Sequence, residues 1–427
     1  MSKLELHTSV EETLVCDEIP SLILKKVNIG NNYYWTPIRS IYLSTEIPRD
    51  IRNRILELKT KQTIFEVNRV IYRDQQYKSI NNAIIENDDE KIKNILRVNE
   101  IIGSERLSIV FSFSDFPERR LGRNFEELLD GIHAFSNSEI LFVPHVRYSK
   151  SAKTAVEYNA KPFCKYIDSA IDVLKEKNTK SIFVPFDIDY PQNTRDDILM
   201  HYAKNGYTNI WVDLKGKSFN KNVIRKIRTF WRVANKLFGE NAKDIIIYLA
   251  NIRKIPRKTP GDFKLSPPDF LGSLTYGDFV GAPFKGVMGY TDDQNFWLRK
   301  GYPTKEDYER DLLKRESSIF DSSSYYYIHP DRLSFDNRKL ERIREAILTI
   351  APSRKHVAEK ASYSASGIIT LSEINQIKKE IEQEGRILDY VESKEFFKNE
   401  GVSLLEELRK PAKIKIERKE KDLFDFI

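Results

Sequence analysis

Cysteine is almost missing from this chain. Its 427 residues include two, Cys16 and Cys164, which are far apart and in no CxxC pair. That excludes a disulfide framework and a cysteine-rich zinc site, and free thiols fit a reducing compartment. Histidine is sparse as well: six residues, with no HxH or HExxH spacing. A histidine-built metal centre is therefore not expected, and no metal ligands are assigned. No apolar run reaches the about 18 residues of a membrane span, and Met1 to His7 hold no apolar core of signal-peptide length. The expected location is cytoplasmic, with no membrane partner. No glycine-rich loop follows the first strand-like segment, which argues against a nucleotide-binding Rossmann sheet. No repeat of solenoid period is present.

What remains is an ordinary core with a mildly basic surface. Apolar residues make up 40%, enough for one large domain or two smaller ones. Charged residues make up 31% with a formal net charge of +7, which suits an anionic partner without requiring one. Residues 33–43 are aromatic and β-branched and read as a strand. Residues 48–100, charged with aliphatics at helical spacing, read as helices with a polar break at Asn87-Asp88-Asp89. From Leu107 a rhythm sets in. Short apolar strands at 107–113, 139–143, 181–186, 209–213 and 244–249 alternate with helical stretches around 124–133, 162–177, 194–206 and 222–238. Continuous apolar strands are buried on both faces, so the sheet is expected to be parallel. The predicted fold is α/β, a parallel (β/α)8-barrel-like core with additional N-terminal and C-terminal helices and a flexible tail. The strand at 33–43 and one near 279–288 help complete the count. An open doubly wound sheet is the alternative. The expected divisions are an extended segment at 1–20, the barrel-like domain at 21–350, a charged helical region at 351–410, and a linker with terminal peptide at 411–427.

In such folds, active groups collect where strands end. The strand ends supply Asp115, then His145 and Arg147, then Asp187 and Asp189, then Asp213, Lys215 and Lys217. Asn251, Arg253 and Asp278 follow. Carboxylates there suit a nucleophile, a general acid or base, or a divalent metal; the cations suit phosphate. Asp187, Asp278, Asp213 and Asp115 are the catalytic candidates. His145, Arg147, Asp189, Lys215 and Lys217 are the substrate-binding candidates. The competing reading is that such aspartates cap helices and such lysines are solvated.

The segment Phe186-Asp187-Ile188-Asp189-Tyr190-Pro191 resembles a strand end of the tRNA-guanine transglycosylase barrel family. Gly277-Asp278-Phe279-Val280 with Ala282-Pro283 is similar to that family's nucleophile region. The resemblance implies that Asp187 reads a base and Asp278 attacks the sugar. The family's Ser-Gly-Gly-Phe-Gln loop and cysteine-rich zinc motif are missing. At the other end of the chain, a charged stretch at 409–421 leads into Asp422-Leu423-Phe424-Asp425-Phe426-Ile427. Its spacing resembles the sliding-clamp-binding (PCNA-interacting) peptide box of archaeal replication and repair proteins. Leu423 matches the aliphatic position, Phe426 and Ile427 the bulky pair, and Glu420 stands where the box has Gln; Phe424 lies between them. Each buried anchor contributes roughly 1.5–3 kcal/mol, offset by ordering of the tail. The resemblances imply a DNA-directed enzyme or accessory protein recruited by a sliding clamp, acting on bases or glycosidic bonds. DNA is the expected partner and RNA the alternative. Rival readings are transglycosylase-like RNA modification, a metal-dependent nuclease and a non-catalytic clamp-bound adaptor.

Overall fold

The computed structural model describes residues 8–147, 159–176, 179–254, 264–284, 295–384 and 386–412. Three antiparallel strands come first: β1 (Thr8–Val15), β2 (Ile23–Ile29) and β3 (Asn32–Trp35). Then follow β4 (Ile38–Arg39), β5 (Ile41–Tyr42), β6 (Phe65–Ile71), β7 (Leu107–Phe113), β8 (Ile140–Phe142), β9 (His145–Val146), β10 (Ser181–Phe186), β11 (Asn209–Lys217) and β12 (Ile246–Ile252). The last are β13 (Lys264–Leu265), β14 (Phe279–Val280), β15 (Ile319–Asp321) and β16 (Tyr326–Ile328).

Two parallel sheets make the core, in the orders β4-β14-β12-β11-β10-β8 and β5-β6-β7-β9. Only Ser40 separates β4 from β5, and only Val143-Pro144 separates β8 from β9. The two sheets therefore share both chain stretches and join into a ring of eight parallel staves. The expected (β/α)8-like core is what forms. Asn159 and Asn220 cap the helices Ala160–Lys175 and Lys221–Phe238 through their side chains. Gly206, left-handed at φ 72°, closes Gln192–Asn205 where a side chain would strain the backbone.

The eighth stave differs from the sequence reading. Residues 48–100 contain β6 as well as helices, and β6 pairs with β7 over seven consecutive residues. Its Glu66 and Asn68 are polar yet buried, because they face the inside of the ring. Residues 33–43 divide at Thr36-Pro37: β3 belongs to the antiparallel sheet, and β4 and β5 belong to the ring.

Aromatic rings fill the ring's interior. Tyr248 of β12 stacks on Phe279 of the neighbouring β14 at 5.9 Å between centroids, and meets Phe142 of β8 at 4.7 Å and Phe183 of β10 at 6.3 Å inside the ring. The antiparallel sheet lies over the amino ends of the staves. Thr8 hydrogen-bonds Ser181 and Asn209, the first residues of β10 and β11, and Asn32 and Tyr34 hydrogen-bond Glu139, just ahead of β8.

Residues beyond 350 pack directly on this core. The helix Lys355–Glu384 crosses β4 and β5, where the Ser364 hydroxyl donates to Tyr42 O at 2.6 Å. At Gly367 a Cβ would stand 3.4 Å from Ile41 Cα, so glycine lets helix and stave approach. Glu407 pairs with Arg225 and Arg228 of the helix Lys221–Phe238. Residue 350 is thus no break in packing. Among the described residues, no helix is long and apolar enough to cross a membrane.

Candidate active site

Asp213, near the carboxyl end of β11, is fully buried and gathers groups from four staves. Its Oδ2 accepts from His145 Nδ1 at 3.0 Å, Arg147 Nε at 2.8 Å and the Ser112 hydroxyl at 3.4 Å. Its Oδ1 accepts from Asn251 Nδ2 at 2.7 Å, the Lys215 amide at 2.9 Å and Arg147 Nη2 at 3.2 Å. Burial alone would push this carboxyl up. The Arg147 guanidinium and the His145 hydrogen bond outweigh it and hold Asp213 far below the usual carboxylate range. It is a fixed anion, not a proton carrier.

The backbone bends to make this arrangement. The β11–β12 register shifts between Asp213 and Lys217, and inside that bulge Lys215 takes φ 52° and Gly216 φ 71°. Asn251, on the neighbouring stave, takes φ 57°. Left-handed non-glycine residues cost on the order of 1–3 kcal/mol in such positions and concentrate at functional sites. Here the two left-handed residues, Lys215 and Asn251, both hydrogen-bond Asp213.

The bulge also turns the Lys215 ammonium onto Asp187 at 2.6 Å, with Asp189 at 3.2 Å. Asp187 accepts the Asp189 amide at 2.8 Å, closing the turn after β10. Burial disfavours charge on Lys215, but Asp187, with Asp189 and Asp213 nearby, lifts it above the usual lysine range. Burial likewise opposes charge on Asp189, yet hydrogen bonds from Lys217 and Lys226 hold it well below the usual range. Lys226 reaches it at 2.6 Å, from the helix that follows β11. Each carboxylate is thus neutralised by a lysine or arginine, and five cations (Arg147, Lys215, Lys217, Lys226 and Arg253) stand against three carboxylates here. Among the described residues, no group of three or more His, Cys, Asp and Glu side chains is placed to hold a metal.

His145 lies between two partners. Nδ1 faces Asp213, and Nε2 lies 3.1 Å from the Tyr190 hydroxyl. An ionised carboxylate only accepts, so Nδ1 donates to it; in the neutral ring Nε2 then accepts the Tyr190 O–H. Trp211, Phe163 and Tyr190 wall the imidazole with edge-on rings. Below, Asn68 Nδ2 donates to Asn251 at 3.0 Å and to Glu66 at 2.6 Å, and Glu66 also accepts from Tyr248. Burial raises Glu66 to about 7.

Seven of the sequence candidates are therefore brought together: Asp187, Asp189, Asp213, His145, Arg147, Lys215 and Lys217. Two are not. Asp278 precedes β14 and sits at the amino end of the ring, paired with Lys25 at 2.9 Å and accepting the Ile247 amide at 2.7 Å. This corrects its placement among the strand-end group, and it leaves the two aspartates of the transglycosylase resemblance, Asp187 and Asp278, at opposite ends. Asp115 is on the correct face but at its edge, just ahead of the helix Pro117–Leu121, where it accepts the Phe116 amide and pairs with Arg120 at 3.5 Å. Glu420, Leu423, Phe424, Phe426 and Ile427 lie outside the described residues. Sequence reading missed Glu66, Asn68, Ser112, Tyr190 and Lys226 as members. A polar residue inside an otherwise apolar stave was the available signal for Ser112.

No family model matches the chain, and no curated protein matches it. Among solved structures, the apo form of the 3-keto-D-glucoside 4-epimerase YcjR from E. coli is similar, with 13% identity over 62% of this chain and 97% of that one, at a TM-score of 0.30.

Proposed function

We propose that this protein is an enzyme acting on DNA at the carboxyl end of its barrel. It breaks the glycosidic bond of a nucleotide without a metal, and a sliding clamp recruits it through Glu420, Leu423, Phe424, Phe426 and Ile427. One observation carries the reading: Asp213, buried and held ionised, with the Lys215–Asp187 pair and the His145–Tyr190 pair beside it. A fixed anion in dry surroundings stabilises the positive charge that develops on a sugar as its base departs. Lys215 and Asp187 offer a donor and an acceptor to base edges. The same face supports contact with phosphates. Arg73, Arg119, Arg120 and Arg123 are exposed after β6 and β7. Arg73 lies over the ring of Tyr72, which is 38% exposed and available for stacking.

The test is release of free base from duplex oligonucleotides, with and without EDTA. Release is expected in both conditions, and it is expected to be lost in Asp213→Asn and Asp187→Asn. Strand scission that EDTA abolishes would establish a nuclease instead. Full cellular function of both variants would establish an adaptor.

A further inference from the structure

We propose that Tyr190 is the nucleophile of this site and forms a covalent bond to the sugar. The inference rests on the glycosidic reading above and names the atom that attacks. Three groups from adjacent staves stand in series: Asp213 on β11, His145 on β9, and Tyr190 in the turn after β10. Nδ1 to Asp213 is 3.0 Å and Nε2 to the Tyr190 hydroxyl is 3.1 Å. This is the arrangement that activates a hydroxyl: a base in contact with it, and an anion that fixes the base's tautomer and balances its charge when protonated.

The other carboxylates are less suited to attack. Asp213 accepts six hydrogen bonds, from five residues. Asp187 and Asp189 are held by lysines. An anion so fully satisfied is a poor nucleophile, because attack must first break those contacts. Tyr190 already holds its hydroxyl 3.1 Å from the nitrogen that would take its proton. Its ring is packed by Phe186 and Phe163, which fixes the direction of the hydroxyl. The Tyr190 amide donates to Asp187 O at 3.2 Å, so the hydroxyl is carried by the same turn as the Lys215-bound carboxylate.

The step balances without an oxidant or metal. Tyr190 Oη bonds to C1′ as the C1′–N bond to the base breaks. The phenolic proton passes to His145 Nε2 and then to the departing base nitrogen. Water, or a second base, later attacks C1′; its proton returns through His145 to Tyr190 Oη and the phenol is regenerated.

The experiment uses the full chain with duplexes carrying one 2′-deoxy-2′-fluoroarabino nucleotide, one duplex for each of the four bases. The fluorine slows breakdown of a sugar ester or ether more than it hinders trapping. The expected result is an intact-mass gain equal to the oligonucleotide less one base, mapped to Tyr190 by peptide sequencing. Tyr190→Phe keeps the ring and removes the hydroxyl. It should form no adduct and release base about 10³-fold or more slowly, while binding the duplex and melting like the parent protein. Base release by the parent with no adduct, an adduct on another residue, or undiminished release by Tyr190→Phe would overturn the nucleophile and leave the glycosidic reading standing. No base release from any natural duplex would overturn both.

Discussion

Among single residues, Asp278 and Glu66 make the sharpest contrast with the site. Asp278 is buried, and burial raises its carboxyl despite Lys25. Asp278→Ala would strand the Lys25 ammonium in the interior. Breaking such a pair costs roughly 3–5 kcal/mol, so chemical denaturation should show a large loss of stability, while any base release proposed above should persist in the folded fraction. Glu66 responds to pH. Burial lifts it from 4.5 to about 7, so the folded chain keeps a proton that the unfolded chain releases. The stability this contributes is complete below about pH 4.5 and is lost as the pH climbs through 7. Relative to Glu66→Gln, which stays neutral, the parent should lose roughly 3 kcal/mol between pH 4.5 and 8, read from denaturation curves.

Elements show where sequence reading reaches and where it stops. The five apolar staves from Leu107 onward were legible because burial on both faces leaves an unbroken apolar run. The stave at β6 was not: Glu66, Asn68 and Arg69 interrupt it, Glu66 and Asn68 because the ring's interior is polar where the site lies, Arg69 on the opposite face near Glu46 and Tyr42. The site's strand-end aspartates were legible for a related reason, since parallel staves direct their ends to one face. Asp278 misled because the family resemblance singled it out, although it directly precedes the strand Phe279–Val280 and so stands at that stave's amino end. Tyr190 was hidden because a single tyrosine in a turn has no spacing to betray it. In sequence the helix Lys355–Glu384 reads as part of a charged region, since its charged residues conceal the small face, Ser364 and Gly367, that lies on β4 and β5. Ending the chain after Ile350 should therefore prevent folding, seen as loss of cooperative unfolding by circular dichroism. Gly281→Ala tests the interior more gently. Its Cβ would stand 2.6 Å from Glu66 Oε2 and 3.0 Å from Tyr248, so the melting temperature should fall and the pH response of Glu66 should shift.

At the scale of the whole molecule, charge and the proposed recruitment are both open to direct test. If the protein acts on DNA as proposed, the net charge of +7 and the arginines after β6 and β7 should make its binding weaken with salt. Replacing Arg120 and Arg123 together by Ala should lower the slope of log affinity against log salt by roughly 2. Capture on an immobilised sliding clamp should distinguish the intact chain from one cut after Lys419; equal capture would remove the recruitment step. The sheet of β1, β2 and β3 has a consequence for the order of events. Among the described residues, it covers the amino ends while aromatic rings fill the interior, so the proposed chemistry has only the carboxyl face to work from. If Tyr190 forms the covalent bond proposed above, the first base leaves before the second reacts. A base-exchange reaction here would run in alternate turns, each half-reaction completed separately, and double-reciprocal plots for the two substrates would be parallel lines instead of lines that cross.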